Sequence, residues 1–262
     1  MTASDKPGEE ISFLKDVYVS VVFLTRLPAP SWPDAAQRDL ATGMWAFPIV
    51  GVIVATIAGL VYAVSDAIGL PVYISALFAV VALTIATGGL HEDGLADLAD
   101  GIWGGSTPER RLAIMSDSQI GAYGAIALIV SVAGRAAAIA TIGQPLFVLG
   151  ALVAAEAVSR AVMPALMSFS GPAKSDGLGA SAGTPGVATW GSALFLAAVI
   201  CVLAAPAGWF TCLIAAAAGA ALISWFARRN LGGYTGDVLG AAQQIAELFA
   251  LTAIASVIAE AG

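Results

Sequence analysis

The sequence predicts an all-α polytopic membrane protein, with about seven transmembrane helices plus an N-terminal interfacial, or eighth membrane, helix. Charged residues make up only 11% of the 262 residues, whereas a typical soluble domain has about 25%. Hydrophobic residues make up 59%, and the mean hydropathy is +0.88. Too few polar side chains are therefore present to cover a soluble globule. Long apolar runs and the placement of the basic residues supply the remaining evidence.

A helix of about 20 apolar residues spans the hydrocarbon core of a bilayer. Seven segments meet this requirement, namely Gly43–Val64, Val72–Leu90, Ala122–Ile142, Leu146–Met167, Trp190–Ala207, Gly208–Ala227 and Ala241–Ile258. An eighth apolar stretch, Ile11–Leu27, contains three charged residues. This favours a helix lying in the membrane interface, with a true span as the alternative.

The N-terminal residues 1–10 are polar and acidic, without the basic start and apolar stretch of a signal peptide. We predict that they form a disordered cytoplasmic tail. Residues 11–262 are then a single helical membrane domain.

The basic residues orient this domain in the membrane. Lysine and arginine precede the first span and recur in the loops after the second, fourth and sixth spans. The turns near Ile68, Gly143 and Pro206 contain none. The positive-inside rule therefore places the long loops, residues 90–121, 168–189 and 229–240, in the cytoplasm and the C-terminus outside. We expect any reaction on a polar substrate at the cytoplasmic face.

Composition also excludes some partners. The net charge is −7 and the few basic residues are scattered, so no basic stripe is available for nucleic acid. Cys201 and Cys212 lie in apolar runs and are interpreted as buried thiols. The small residues of Ala215–Ala221 allow close helix packing, within one chain or in a homo-oligomer.

The acidic segment Gly88–Gly101 is the first candidate site. If the second span continues through it as a helix, Asp93, Asp97 and Asp100 lie at i, i+4 and i+7, on one face. Their mutual repulsion predicts a compensating hard cation, and Mg²⁺ commonly joins one or two carboxylates to substrate phosphates. A solvated helix end is the alternative interpretation. His91, the only histidine, is interpreted as a hydrogen-bonding group or a general base.

Four further residues on the cytoplasmic side are candidates. Arg110 and Arg111 would clamp phosphate oxygens, or would simply follow the positive-inside rule. Asp117 would complete a metal shell, or would cap the helix of the third span. Asp237 lies in the glycine-rich loop Leu231–Gly240, where backbone N–H groups can approach a phosphate closely.

Ionisable residues also occur inside the predicted spans, where they are expensive in lipid and indicate function or pairing. Arg135 and Glu247 are two of these. Glu156 and Arg160 are spaced i, i+4 and would satisfy each other. Arg160 also lies near the cytoplasmic end of its span, within reach of a phosphate. The loop 168–189 is rich in glycine, serine and proline and would suit a lid.

Together these motifs resemble the cobalamin synthase family, the adenosylcobinamide-GDP ribazoletransferases. The matching segments are Phe23–Pro28, Phe47–Gly51, Gly88–Gly101, Ile114–Gly121, Ser159–Arg160, Gly177–Gly179 and Leu231–Ala241. The resemblance implies that α-ribazole or its 5′-phosphate reacts with adenosylcobinamide-GDP. GMP leaves, and adenosylcobalamin or its 5′-phosphate forms. It further implies Mg²⁺ dependence and a place in the prokaryotic cytoplasmic membrane.

On this resemblance the site residues receive roles. Asp93, Asp97 and Asp100 would hold Mg²⁺, with Asp117 and Asp237 as contributors. Asp93 would also deprotonate the ribose hydroxyl. Arg110, Arg111 or Arg160 would steady the departing GMP.

Two other functions are alternatives. Asp97–Gly101 matches the start of the CDP-alcohol phosphotransferase signature, but Gly104-Gly105 replaces its Ala-Arg and the later aspartate pair is missing. A transporter would require an inverted repeat and polar residues converging at the midplane. The sequence has no such repeat, and its acidic cluster lies at the membrane boundary.

Overall fold

The computed structural model describes residues 7–174 and 177–261. In that part of the chain the structure is helical, without a β-strand. The helices are α1 (Pro7–Leu24), α2 (Pro33–Ala36), α3 (Leu40–Gly43), α4 (Phe47–Ala67), α5 (Val72–Thr87), α6 (Leu90–Gly104), α7 (Pro108–Ile114), α8 (Ala122–Ile142), α9 (Pro145–Phe169), α10 (Leu178–Ser181), α11 (Val187–Ala204), α12 (Trp209–Leu231) and α13 (Gly236–Ala261). A short 3₁₀ helix, Met44–Ala46, joins α3 to α4.

The membrane architecture matches the prediction. Six helical segments among the described residues are long and apolar enough to cross a membrane, and the bent pair of α5 and α6 makes a seventh. The predicted third span, Ala122–Ile142, coincides with α8. The last span begins earlier than predicted, at Gly236, because the glycine-rich loop passes directly into α13. The all-α polytopic membrane fold is therefore confirmed.

The N-terminal helix α1 differs from the spanning helices. It begins at Pro7, so the last four residues of the predicted tail are helical, while residues 1–6 lie outside the described residues. Its charged residues exclude it from the candidate spans. Asp16 fixes it to the bundle, since its carboxylate accepts hydrogen bonds from Arg38 (2.6 Å) and from the indole of Trp45 (3.0 Å).

The second span does not continue straight into the acidic segment. The helix breaks at Gly88 and Gly89, which have φ values of 67° and 71°. Glycine adopts this left-handed region without the steric cost of a Cβ atom. Beyond the break, α6 bends away from α5 by 93°. We therefore regard α5 as the membrane-crossing part, and α6 as a helix that turns across the end of the bundle.

The apolar interior has two parts. The larger is rich in alanine and joins α4, α5, α8, α9 and the last three helices. It contains Cys201 and Cys212, which are buried free thiols as predicted. The second part adjoins α6 and contains larger side chains, including Met44, Phe47 and Met163. It forms the base of the candidate site.

Candidate active site

A cavity of about 290 Å³ lies at the N-termini of α6 and α13. Its charged lining is Asp93 in the first turn of α6, Asp237 in the first turn of α13, and Lys174. Thr235 adds a hydroxyl group. The positive ends of two helix dipoles therefore meet at this cavity, where they favour anions and offset the two carboxylates.

Missing side chains allow α6 and α13 to come together. A Cβ atom at Gly94 would lie 2.7 Å from the carbonyl oxygen of Asp237. At Gly240, a Cβ atom would lie 3.2 Å from the Cα of His91. Glycine at both contacts lets the two helix backbones pack closely. This contact brings Asp93 and Asp237, distant in sequence, to one cavity.

The start of α13 is held by Thr235. Its Oγ1 accepts a hydrogen bond from the backbone N–H of Val238 (3.3 Å), as an N-cap residue does. The same hydroxyl donates to Oδ2 of Asp237 (3.1 Å). The Thr-Gly-Asp motif thus both begins the helix and orients the carboxylate that lines the cavity.

Asp97 lies within the same group of acids. Burial, followed by the charges of Asp93, Asp237 and Asp100, raises the pKa of Asp97 to about 7. Three other aspartates of the predicted metal set are therefore close enough to Asp97 to affect its pKa. Asp117 is not among the charges that act on Asp97.

Asp100 has a structural role that its position in the acidic run does not reveal. Its two carboxylate oxygens accept hydrogen bonds from the backbone N–H groups of Gly121 (2.7 Å) and Gly124 (2.9 Å), at the start of α8. It therefore caps the helix that Asp117 was considered to cap. Asp117 is exposed, and its Oδ1 accepts from the backbone N–H of Gln119. The capping alternative for Asp117 is wrong.

The predicted arginines lie outside the cavity lining. Arg110 is exposed on α7. Arg111 donates to the carbonyl oxygens of Gly105 (3.0 Å) and Asn230 (3.2 Å), so it joins α7 to the end of α12. Arg160 is buried and pairs with Glu156 on its own helix, as the i, i+4 spacing predicted.

A buried ionic cluster fixes α6 from another side. Arg135 of α8 forms ion pairs with Glu92 of α6 and Glu247 of α13, both at 3.2 Å. Gln244 also donates to Glu92 (3.3 Å), and Gln243 to Glu247 (3.1 Å). The intramembrane charges Arg135 and Glu247 are thus paired with each other, and Glu92 joins the same buried cluster.

Lys174 was not among the predicted site residues. A backbone contact between the two glycine-rich loops positions it, since Ala173 donates to the carbonyl oxygen of Tyr234 (2.8 Å) and Tyr234 to that of Gly171 (3.0 Å). The Lys174 ammonium group donates to Ser116 Oγ (2.7 Å) and to the carbonyl oxygen of Leu112 (3.2 Å). The loop 168–189 contains very few charged residues, and this scarcity was the sequence feature that could have indicated Lys174 as a site residue.

Comparison with known proteins adds an independent observation. The family model described as cobalamin-5-phosphate synthase matches residues 16–255. This protein belongs to the cobalamin-5-phosphate synthase family. The family assignment made from the motifs is confirmed, and the matched range includes every residue that lines the cavity.

The sequences of curated relatives align with this cobalamin-5-phosphate synthase family member over nearly its whole length. A protein of Bradyrhizobium diazoefficiens named adenosylcobinamide-GDP ribazoletransferase is 41% identical over 95% of this chain and 97% of its own. A relative of the same name from Mesorhizobium japonicum is 43% identical over 93% of this chain and 93% of its own. Another, from Brucella ovis, is 42% identical over 90% of this chain and 94% of its own. No solved structure matches the chain.

The cavity aspartates of this family member could hold a cation that is also bound by substrate oxygens. Among the described residues, no three histidine, cysteine or acidic side chains are placed to hold a metal ion together. Mg²⁺ usually takes one or two carboxylates and completes its shell with water and phosphate oxygens. Asp93 and Asp237 can supply those carboxylates. Burial and, after it, the neighbouring carboxylates raise the pKa of Asp97, and a cation would offset the negative charge of these carboxylates.

Proposed function

We propose that this protein is an adenosylcobinamide-GDP ribazoletransferase, which joins α-ribazole or its 5′-phosphate to adenosylcobinamide-GDP and releases GMP. The product is adenosylcobalamin or its 5′-phosphate. One observation supports this function best: Asp93, Asp237 and Lys174 surround a single cavity at two helix N-termini. Acids for a cation and for a proton, with positive groups for phosphate, are what phosphoryl transfer requires. The names of the curated relatives point to the same reaction.

The proposed reaction is one displacement at phosphorus. The oxygen of the ribose hydroxyl attacks the phosphorus bonded to the cobinamide side, and the bond from that phosphorus to the oxygen of GMP breaks. The hydroxyl proton passes to a carboxylate, for which Asp93 is the exposed candidate in the cavity. Lys174 and the N–H groups at the start of α13 face the negative charge of the pyrophosphate.

We include Mg²⁺ in the proposal, held by Asp93 and Asp237 with Asp97 beside them. When bound, Mg²⁺ supplies charge neutralisation on the pyrophosphate. Asp100 contributes to the same acidic group but is occupied by its hydrogen bonds to α8. These bonds hold the acidic face of α6 against the start of α8.

We place the reaction on the cytoplasmic face of a prokaryotic inner membrane. The distribution of basic loops supports this orientation. Both α6 and the loop that contains Lys174 belong to the predicted cytoplasmic side. GDP-linked and nucleoside substrates are then available from the same compartment.

The test is GMP release by the purified protein in detergent, given adenosylcobinamide-GDP, α-ribazole and Mg²⁺. We expect release only when both substrates and the metal are present. Asp93→Asn should reduce turnover at least a hundredfold, since a proton acceptor alone contributes about 10²–10⁴. Asp34→Asn, a matched change at an exposed aspartate of α2, should leave turnover unchanged. Absence of GMP release from folded wild-type protein with any divalent metal would refute the proposed activity.

A further inference from the structure

The lining of the cavity has a second part that phosphoryl transfer does not explain. Beside the charged groups, it is apolar and built from large, flexible side chains. Four of the five methionines in the chain, Met44, Met115, Met163 and Met167, line it, and the fifth is Met1. All four are at most 4% exposed. Met163 and Met167 lie one turn apart on α9, whereas Met44 and Met115 come from separate parts of the chain, so helical periodicity alone does not account for the convergence of all four.

Aromatic rings complete this apolar part. Phe23 of α1 and Phe47 of α4 also line the cavity. Their rings lie within 13° of parallel, with centroids 6.4 Å apart. Offset, nearly parallel rings at this separation form a stack that a further flat ring can extend. Methionine sulfur also makes favourable contacts with aromatic rings and adapts to their outline.

We propose that this apolar part is the subsite for the flat aromatic base of the ribazole nucleoside. The proposal rests on the proposed function, because it takes α-ribazole as a substrate. The nucleoside has the same two-part character as the cavity: an apolar bicyclic base, and a polar ribose with the attacking hydroxyl. With its base among the methionines, the ribose is left for the part lined by Asp93 and Asp237.

The other substrate groups fit this space less well. A corrin ring with its amide side chains is much larger than a cavity of about 290 Å³, which is near the lower end for small-molecule sites. Guanine is small enough, but its polar edge would need hydrogen-bond partners on burial. The methionine and phenylalanine side chains offer none. Among the described residues that line the cavity, only Nε2 of His91 is a buried polar side-chain atom without a hydrogen-bond partner.

The first experiment measures direct binding of nucleosides, which does not require turnover. Isothermal titration calorimetry compares the dimethylbenzimidazole nucleoside with its unsubstituted benzimidazole analogue. Two methyl groups moved from water into an apolar pocket should strengthen binding about tenfold. In Ala182→Met, a longer side chain enters the same lining, so this preference should fall to about onefold. Ala113→Met, at an exposed position of α7, is the matched control and should keep it.

A second variant keeps the proposal testable if Ala182→Met does not fold. Met167→Ala enlarges the pocket and should bind a larger naphthimidazole nucleoside more tightly than wild type does, by about tenfold. An unchanged preference in folded Ala182→Met, with no gain in Met167→Ala, would overturn the subsite. The subsite would also be overturned if these two variants raised the KM for adenosylcobinamide-GDP and left nucleoside binding unchanged. Nucleoside binding that follows these expectations without any GMP release would support the subsite while refuting the proposed function.

Discussion

The buried arginine of α8 allows a quantitative test of how α6 is held. Arg135 is fully buried and pairs with Glu92 and Glu247. Arg135→Met removes the cation and leaves two buried carboxylates without it. Loss of one partner from a buried ion pair costs about 3–5 kcal/mol. Because Arg135 serves two carboxylates, we expect a loss near the upper end, about 5 kcal/mol.

The assay is thermal unfolding in detergent, followed by tryptophan fluorescence. For a chain of this size, each kcal/mol corresponds to about 2–4 °C, so the melting temperature should fall by about 10–20 °C. The matched control is Arg229→Met, an exposed arginine of α12 whose guanidinium lies 5.5 Å from the ring centroid of Trp225. It should cost less than about 1 kcal/mol.

A compensating variant tests the cause of the loss. Replacing Glu92 and Glu247 by glutamine in the Arg135→Met background removes the uncompensated charges, so most of the lost stability should return. The reasoning fails if Arg135→Met melts within about 2 °C of wild type, which corresponds to less than 1 kcal/mol. It also fails if the triple variant is no more stable than the single one.

Three further predictions concern the cavity and its surroundings. The pKa of Asp97 is raised from 3.8 to about 7, so the folded, metal-free protein binds this proton more tightly than the unfolded chain. Its stability should therefore fall as pH rises between these values, and Asp97→Asn should remove that part of the pH dependence of the melting temperature. Asp100→Asn should lower the melting temperature by a few degrees, since a lost helix cap costs about 1 kcal/mol, whereas Asp117→Asn should change neither melting nor GMP release. Lys174→Gln should raise the KM for the GDP-linked substrate about tenfold, by loss of one charge-assisted contact, with a smaller effect on the KM for the nucleoside in steady-state kinetics. The first expectation is contradicted if the melting temperature of Asp97→Asn depends on pH as that of wild type does. The second is contradicted if the Asp100 and Asp117 variants melt at the same temperature. The third is contradicted if Lys174→Gln changes the KM equally for both substrates.

Hydropathy was sufficient to predict the spanning helices, because the bilayer fixes both their length and their composition. The break after α5 was not predicted, although Gly88-Gly89 stands at that point. Glycine pairs are also common within membrane helices, where they allow close packing, so the sequence pattern alone does not distinguish a packing contact from a bend. The acidic face of α6 did follow from spacing, since helical periodicity is local.

The rest of the site depends on contacts between distant segments. Asp100 finds its partners more than twenty residues away, at the start of α8. Lys174 is positioned by a backbone bridge to Tyr234, and no local pattern encodes that bridge. The methionines of the cavity are each ordinary core residues by sequence. Only the packing of the 3₁₀ helix before α4, the end of α7, and α9 around one volume reveals that they belong together.

The glycine break has a further consequence for the surrounding lipid. With 16 residues, α5 is about 24 Å long, which is shorter than the hydrocarbon core of about 30 Å. A short helix is accommodated by thinning of the adjacent bilayer, at a cost that grows with each ångström of mismatch. We therefore expect the bilayer to be thinned beside the helix that leads into the acidic segment. Lipids with shorter acyl chains should favour the native arrangement of α5 and α6, so that bilayer thickness becomes a means of adjusting the position of the cavity relative to the water.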